Sequence, residues 1–298
     1  MKNAAPVLGF IGLGVMGGPM CCNVARKHAS PVHAYDMSSE ALEEPVKAGA
    51  IAASTISEVA AASDIIFLSL PGGAQVIDVC LGDGGISPSA KRGTIVVDLS
   101  TTSVAEARHV AEELAKKSIA FADAPVARTR QAAQDGTLSI MVGASEEFFQ
   151  QLEPLLRYMG SDIALCGDVG CGQVVKIINN TLVFEHTAAL AEMLVVAERA
   201  GVAPATLLDA VSNGSGDSFV LRNHGRKAML PRNFPERAFP STYVLKDLGY
   251  SIELAESCGV EPRLSRQAEQ YYRAAVDGGI GEKYFPAIIE LIDKPTSK

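Results

Sequence analysis

The sequence is constrained most by a glycine motif that lies between a predicted strand and a predicted helix. Gly12-Leu13-Gly14-Val15-Met16-Gly17 directly follows the apolar segment Val7–Ile11. In such a motif the first glycine permits a tight turn, the second lets backbone approach a pyrophosphate, and the third lets the helix pack against the strand. Asp36 lies 19 residues beyond Gly17, at the end of the second predicted strand, where a carboxylate can bind an adenine ribose. Residues 12 to 17 and Asp36 are therefore predicted to bind a dinucleotide.

Asp36 also indicates which nicotinamide cofactor the chain binds. A carboxylate at this position repels the 2′-phosphate of NADP, and the residues that follow, Met37, Ser38 and Ser39, include no arginine to receive that phosphate. The sequence therefore favours NAD over NADP.

The glycine motif lies in an uncharged stretch, Val7 to Ala25, that has the length of a signal-peptide core or a short membrane span. Five glycines and Pro19 interrupt it. In a helix interior each glycine costs about 1 kcal/mol and a proline about 3 kcal/mol relative to alanine. We therefore expect no spanning helix, no targeting segment and no membrane partner, and the predicted location is the cytoplasm.

Charge and cysteine spacing exclude two further classes of protein. The 26 basic and 34 acidic side chains give a formal net charge of -8, which opposes binding to nucleic acid. The six cysteines contain no Cys-x-x-Cys pair and have no zinc-like spacing with histidine. The sequence therefore predicts reduced thiols, no metal site and no nucleic-acid partner.

The chain divides into two halves with different patterns, as its 298 residues predict. Residues 1–165 alternate helical segments with short apolar strands, predicted at Val7–Ile11, Val32–Tyr35, Ile65–Leu70, Thr94–Asp98 and Ile119–Ala122. Parallel strands joined by helices need a sheet covered on both faces, so this half is predicted to be an α/β, doubly wound Rossmann domain. Residues 166–298 predict an all-α domain, joined to the first through a long helix from Val174 to about Ala200.

Two loops follow predicted strands at the carboxyl edge of the sheet, where ligands usually bind in open α/β folds. They are Leu70-Pro71-Gly72 and Ser100-Thr101-Thr102. Thr102 equally suits a helix cap.

A third candidate group lies near the start of the long helix. Asn179 and Asn180 each lie within about 60° of Lys176 around the helix, so the three side chains share one helix face. A lysine among apolar neighbours loses its proton more easily than in water, as acid–base chemistry near neutral pH requires. The alternative is an ordinary solvated lysine.

Together these residues resemble the β-hydroxyacid dehydrogenase family, which includes 3-hydroxyisobutyrate dehydrogenases and tartronate semialdehyde reductases. The resemblance covers nearly the whole chain. Its motifs, in the order of the family, are Gly9–Gly17, Asp123–Val126 with Gly136–Leu138, Gly172 with Lys176 and Asn180, and Lys246–Leu248. The resemblance implies a Rossmann domain (1–165) and a helical domain (166–298) for substrate binding and dimerisation, with the active site in the cleft between them. It also implies a homodimer or homotetramer.

The resemblance also implies a role for each matching residue. Lys176 takes the catalytic position, where it accepts the hydroxyl proton of a small anionic 3-hydroxy acid or donates a proton to the semialdehyde. Asn180, with Asn179 beside it, orients the substrate. The expected cofactor contacts outside the glycine motif are Leu70, Pro71, Thr101 and Lys246. Spacing alone also allows Lys246 to be a surface charge.

The sequence departs from the family at the substrate motif. Many members follow Asp-x-Pro-Val with Ser-Gly-Gly, whereas this chain continues Ala127-Arg128-Thr129-Arg130. This form resembles the one in 3-sulfolactaldehyde reductases, where the arginine meets the substrate sulfonate. Arg128 and Thr129 are therefore predicted to bind the substrate anion, through the fixed fork of donors that a guanidinium supplies. A solvent-facing arginine is the alternative.

Three functions remain open on the sequence. The favoured one is an NAD-dependent oxidoreductase that interconverts a small anionic 3-hydroxy acid and its semialdehyde. The second is a 3-sulfolactaldehyde reductase-like enzyme with Arg128 on the sulfonate. The third is a catalytically silent NAD-binding module, which the presence of Lys176 argues against.

Overall fold

The computed structural model describes residues 5–236 and 238–293. It divides the chain into two compact units, Met1–Lys176 and Ile177–Lys298. The domains predicted from the sequence are 1–165 and 166–298. Their outer ends, residues 1–4 and 294–298, lie outside the described residues. None of the helices in the described part of the chain combines the length and apolar character needed to cross a membrane.

The described part of the first unit contains one nine-stranded sheet. Its strands are β1 (Leu8–Ile11), β2 (Val32–Tyr35), β3 (Ile51–Ala52), β4 (Ile65–Leu68), β5 (Ile95–Asp98), β6 (Ala120–Asp123), β7 (Val126–Ala127), β8 (Leu138–Gly143) and β9 (Gly160–Gly167). Six strands run parallel in the order β3-β2-β1-β4-β5-β6, which is the Rossmann order. Strand β8 lies antiparallel to β6 and β7 and parallel to β9.

Both faces of the parallel sheet are covered by packed side chains. Phe10 and Phe67 belong to one buried apolar cluster, while their neighbours Ile11 and Ile66 belong to another. Alternate residues of a strand point to opposite faces, so the two clusters lie on the two sides of the sheet. The helices of this unit are α1 (Gly17–Lys27), α2 (Glu43–Lys47), α3 (Ile56–Ala62), α4 (Gly73–Leu81), α5 (Ile86–Ser89), α6 (Val104–Ala115), α7 (Arg130–Asp135) and α8 (Glu146–Leu156). The predicted doubly wound α/β domain is confirmed.

Four strands of this sheet were not predicted from the sequence. Strands β3 and β7 have only two residues each, which is too short for a hydrophobic pattern. Strand β9 carries Gly, Ser, Asp and Cys among its apolar residues and is largely exposed or half-buried. Strand β8 is a buried apolar run that the β-α-β pattern did not include, because it reverses direction beside β6.

The second unit is helical, as predicted. Helix α9 (Cys171–Arg199) begins in the first unit and has 29 residues, hence a length of about 44 Å. It is followed by α10 (Pro204–Val211), a π-helix (Leu221–Met229), α11 (Ser241–Ser257), α12 (Arg263–Asp277), a 3₁₀ turn (Phe285–Ile288) and α13 (Ile289–Ile292). Gly201 ends α9 with a φ of 88°, a left-handed conformation that glycine adopts without strain.

The core of the second unit is aromatic. Phe184, Tyr272 and Phe285 pack against one another, and the buried hydroxyl of Tyr272 donates to the Phe184 carbonyl at 3.0 Å. His224 on the π-helix is hydrogen-bonded to the Tyr284 hydroxyl at 2.6 Å. The apolar residues of α9 to α13 therefore surround a small number of buried polar groups that have partners.

Candidate active site

The glycine motif forms a tight turn between β1 and α1. Gly12 has a φ of 90°, and a side chain there would collide with the Ser69 carbonyl oxygen. A Cβ on Gly17 would collide with the Gly12 carbonyl oxygen, whereas a Cβ on Gly14 would meet no atom within 4 Å. Gly12 and Gly17 are thus required by the fold, while the space over Gly14 is open for a ligand. These are the three roles that a dinucleotide-binding turn needs.

The N-terminus of α1, which follows this turn directly, is suited to a phosphate group. Its N-terminus has no side-chain cap, and its first turn contains no acidic residue. The backbone of Gly14 and Val15, just before the helix, is exposed, and together with the positive end of the helix dipole it suits an anion. Of the motif side chains, Leu13 is buried, Met16 is half-buried and Val15 is exposed, so these residues contribute to a cofactor site mainly through backbone.

Asp36 is hydrogen-bonded to the same turn. Its Oδ2 accepts from the backbone N–H of Leu13 at 2.6 Å, and its Oδ1 accepts from Ser38 N–H at 2.8 Å. A carboxylate has about four acceptor sites, so lone pairs remain for the two hydroxyls of a ribose. The residues of the turn and of the β2 end therefore fit NAD.

The two predicted loops meet at the carboxyl edge of the sheet. The hydroxyl of Ser100 accepts from Leu70 N–H at 2.9 Å, and Ser100 N–H donates to the buried Asp98 at 2.9 Å. This linkage brings the loop with Leu70 and Pro71 beside the loop with Thr101. Thr102 does not cap the following helix, because Ser103 does so in a reciprocal pair with Glu106.

Helix α9 carries Lys176, and its first turn is hydrogen-bonded to the carboxyl edge of the sheet. Asp123, at the end of β6, is fully buried and accepts from Gly170 N–H at 2.6 Å and Gln173 N–H at 2.7 Å. Burial raises the pKa of Asp123 to about 6, although these two hydrogen bonds lower it in part. Lys176 follows one turn later and is 8% exposed, so the alternative of a solvated surface lysine does not hold.

The second unit holds a polar network around Asp247. The Asn179 side chain donates to Asn180 Oδ1 at 3.1 Å, and Asn180 Nδ2 donates to Asp247 Oδ2 at 2.8 Å. Lys246 Nζ lies 3.1 Å from Asp247 Oδ1 and 5.1 Å from the centre of the Tyr250 ring. Lys246 is thus an ion-paired, largely covered side chain rather than a surface charge.

Arg128 and Thr129, the predicted anion ligands, already have partners within the first unit. Arg128 donates to the Thr137 carbonyl at 2.6 Å and the Ser161 hydroxyl at 3.0 Å, and it pairs with Asp162 at 2.7 Å. The Ser161 and Arg128 hydrogen bonds lower the pKa of Asp162. The hydroxyl of Thr129 accepts from Ala132 N–H and caps α7.

The backbone of Arg128 has a φ of 88°, which is unusual for a residue other than glycine. In this conformation the Arg128 guanidinium reaches Thr137, Ser161 and Asp162. Arg128 and Asp123 lie beside opposite ends of β8: Ala127, the neighbour of Arg128, pairs with Ser139 near the start of β8, whereas Asp123 of β6 pairs with Gly143 at its end. The structure thus separates Arg128 from the polar groups at the carboxyl edge.

Three residues of these networks were not predicted as site residues: Asp123, Gln173 and Asp247. Asp123 and Asp247 belong to the motifs quoted above, but only the tertiary structure shows what they bind. Gln173 had a weak signal, since it lies three residues before Lys176 on a helix and such residues are neighbours on the helix surface.

Comparison with known proteins agrees with this geometry. The profile described as the NAD binding domain of 6-phosphogluconate dehydrogenase matches residues 7–167. The profile described as NAD-binding of NADP-dependent 3-hydroxyisobutyrate dehydrogenase matches residues 170–292.

Individual relatives match over nearly their whole length. The 2-(hydroxymethyl)glutarate dehydrogenase of Eubacterium barkeri is 36% identical over 97% of this chain and 95% of that protein. The 2-hydroxy-3-oxopropionate reductase of Escherichia coli K12 is 34% identical over 91% of this chain and 92% of that protein. The solved structure of 3-hydroxyisobutyrate dehydrogenase from Mycobacterium tuberculosis superposes with a TM-score of 0.89 at 26% identity, covering 98% of this chain and 100% of that one.

Proposed function

The chain belongs to the β-hydroxyacid dehydrogenase family, and we propose that it interconverts a small anionic 3-hydroxy acid and its semialdehyde with NAD. It is an NAD-dependent oxidoreductase acting on CH–OH groups. The observation that carries the substrate proposal is a buried lysine, Lys176, at the start of a helix that is hydrogen-bonded to the carboxyl edge of a dinucleotide-binding sheet.

Lys176 is the proposed general acid and base. In oxidation its neutral amine accepts the hydroxyl proton of the substrate, and in reduction its ammonium returns a proton to the carbonyl oxygen. When bound, NAD supplies the acceptor or donor for the hydrogen and two electrons exchanged with the hydroxyl-bearing carbon. Asn180 and Asn179 orient the substrate. Asp247 fixes the orientation of the Asn180 amide by accepting a hydrogen bond from its Nδ2.

Cofactor residues follow from the turn geometry. The backbone of residues 12 to 17 and the N-terminus of α1 bind the pyrophosphate, and Asp36 binds the adenine ribose, which favours NAD over NADP. The proposed contacts toward the nicotinamide are Leu70, Pro71 and Thr101, with Lys246 closing the site around the cofactor.

The substrate is tested with a panel followed by the absorbance of reduced nicotinamide. The panel contains 3-hydroxyisobutyrate, 2-(hydroxymethyl)glutarate, 2-hydroxy-3-oxopropionate and a three-carbon aldehyde that carries a sulfonate. We expect NAD-linked turnover with at least one carboxylate. Absence of turnover across the panel, with NADH still bound, would favour the catalytically silent module.

The role of Lys176 is tested by Lys176→Ala. We expect NADH binding to be retained and kcat to fall about 100- to 10,000-fold, the usual contribution of a general acid–base group. Lys176→Arg, which keeps the charge but does not give up a proton near neutral pH, is expected to be equally slow. Lys116→Ala, which removes an exposed lysine paired with Glu113, is the matched control. Wild-type kcat in Lys176→Ala contradicts the assignment.

The sulfonate alternative depends on Arg128 and Thr129. Because Arg128 is paired with Asp162, an incoming anion has to share or replace that carboxylate. Asp162→Ala frees the guanidinium and is expected to lower KM for the sulfonate substrate if Arg128 binds it, whereas Arg128→Ala raises KM. Equal KM values in all three proteins remove Arg128 from the substrate site.

We also propose a cytoplasmic homodimer or homotetramer. In the second unit, Ile178, Leu182, Met193 and Val196 are each about half exposed. Their spacing puts them on one face of α9 within about 60°, as a subunit contact requires. Light scattering of wild type and Leu182→Glu tests this proposal, and a wild-type monomer at micromolar concentration contradicts it.

A further inference from the structure

One buried side chain, that of Gln173, links the start of α9 to the loop that contains Thr101. Gln173 is fully buried. Its Nε2 donates to the Ser100 carbonyl at 2.8 Å, and its Oε1 accepts from Thr102 N–H at 3.2 Å. The amide therefore binds the backbone on both sides of Thr101.

The backbone of the same residue fixes the helix itself. Gln173 N–H donates to Asp123, which also accepts from Gly170 N–H, so the first turn of α9 is capped by a carboxylate from β6. This cap satisfies two N–H groups at the start of the helix through its backbone alone. The side-chain amide of Gln173 is thus an additional attachment, and its direction is toward the loop rather than toward the helix end.

The side-chain hydrogen bonds of Gln173 also affect the position of Lys176. Residues three apart on a helix are neighbours on its surface, and their rise is about 4.5 Å. A shift or rotation of the first turn relative to the Ser100–Thr102 loop therefore moves Lys176 relative to Thr101. Reactions of this kind depend on reacting atoms being held within about 3 to 3.5 Å of one another.

We propose that Gln173 is a positioning residue, which sets the register between Lys176 and the Thr101 loop through its two hydrogen bonds. This inference rests on the proposed function of Lys176. Gln173 does not contact the reacting atoms, and it acts through the two backbone groups that flank Thr101.

Gln173→Met tests the proposal, because methionine has a similar length and offers neither hydrogen bond. We expect kcat to fall about 10- to 100-fold, the size of effect that a displacement of about 1 Å produces. NADH affinity and KM for NAD should stay near their wild-type values. The kinetic isotope effect with deuterium on the hydroxyl-bearing carbon should rise, because the chemical step becomes more rate-limiting. A smaller amount of correctly folded enzyme would lower kcat without changing that isotope effect.

Gln173→Glu provides a second variant that keeps the shape of the side chain. One carboxyl oxygen can still accept from Thr102 N–H, but the other can donate to the Ser100 carbonyl only when protonated. Activity relative to wild type should therefore recover as pH is lowered in Gln173→Glu and stay flat in Gln173→Met. If Gln173→Met fails to fold, this pH profile decides the question. The matched control is Gln267→Met, at an exposed helical glutamine whose side chain donates to Gln270.

Hydrogen exchange of the ligand-free protein separates this proposal from the proposed function. The backbone N–H of Thr102 should exchange faster in Gln173→Met than in wild type. The backbone N–H of residue 173, which donates to Asp123, should stay protected in both proteins. If the wild-type protein turns over no substrate of the panel, the proposed function is wrong. The exchange result then still shows whether the Gln173 side chain holds the Thr101 loop. Unchanged Thr102 exchange, or unchanged kcat and isotope effect in Gln173→Met, would overturn the inference.

Discussion

Asn180 and Asp247 are joined by a hydrogen bond of 2.8 Å, in which the side-chain amide donates to the carboxylate. Asp247 is 3% exposed, and its second oxygen pairs with Lys246. Asn180, which is expected to orient the substrate, and Lys246, which is expected to contact the cofactor, are thus both held by the buried carboxylate of Asp247.

Asp247→Ala is expected to lower kcat/KM more than tenfold and to destabilise the protein. The Asn180 amide and the Lys246 ammonium both lose their partner, and a buried polar group left unsatisfied costs about 1 to 3 kcal/mol. Asp247→Asn keeps an acceptor for Asn180 and should recover most of the stability. Steady-state kinetics and urea unfolding of the two variants check this, and equal effects on stability would argue against the hydrogen bond as the cause.

Gly14→Ala and Gly17→Ala should behave differently. A methyl group on Gly14 meets no protein atom within 4 Å, so the free energy of unfolding should be unchanged while NADH binding weakens at least about tenfold, or about 1.4 kcal/mol. A methyl group on Gly17 collides with the Gly12 carbonyl and should lower stability itself. Fluorescence titration with NADH and thermal unfolding distinguish the two effects. Gly84→Ala, where a Cβ also meets open space, is the control.

Asp36→Ala should weaken NADH binding and reduce the preference for NAD over NADP, because the repulsion of a 2′-phosphate is removed. The turn should also loosen, since Leu13 N–H loses its acceptor. Asp64→Ala is a matched control, because Asp64 accepts from the backbone N–H of Val7 beyond the other end of β1. Dissociation constants for both reduced cofactors provide the measurement, and an unaltered ratio would show that Asp36 does not face the ribose.

Asp123 should make stability fall as pH rises between about 4 and 6. Its pKa is 3.8 ordinarily and about 6 in the fold, so in this range the folded state binds more protons than the unfolded state. The difference corresponds to roughly 3 kcal/mol, lost as pH rises and constant above pH 6. We expect the stability of wild type relative to Asp123→Asn to decline through this window in urea unfolding. A flat or rising difference contradicts the shift.

His224 should produce the opposite dependence. Burial, with a smaller contribution from Lys227, lowers the pKa of His224 from 6.5 to about 4. Between these two pH values the folded state therefore binds fewer protons than the unfolded state. Stability should fall as pH is lowered from about 6.5 to 4, by up to roughly 3 kcal/mol. Relative to His224→Phe, wild type should lose stability on acidification, and parallel pH curves for the two proteins would exclude this contribution.

The class of fold and the cofactor turn were predictable without coordinates. Glycine spacing, the acidic residue after the second strand and the alternation of strands with helices are local patterns, so a doubly wound sheet and the turn of residues 12 to 17 could be predicted directly. Lys176 and Asn180 were also readable, because helix geometry relates residues that are close in sequence.

The partners that hold these residues are visible in the folded protein alone. Asp123 caps a helix that begins at Cys171, Gln173 bonds to backbone near Thr101, and Asp247 binds Asn180. Each pair is distant in sequence, and no periodicity links one member to the other. The same reason applies to Arg128, which the substrate motif predicted as an anion ligand. Its guanidinium pairs with Asp162 of β9, a strand that the sequence pattern did not predict.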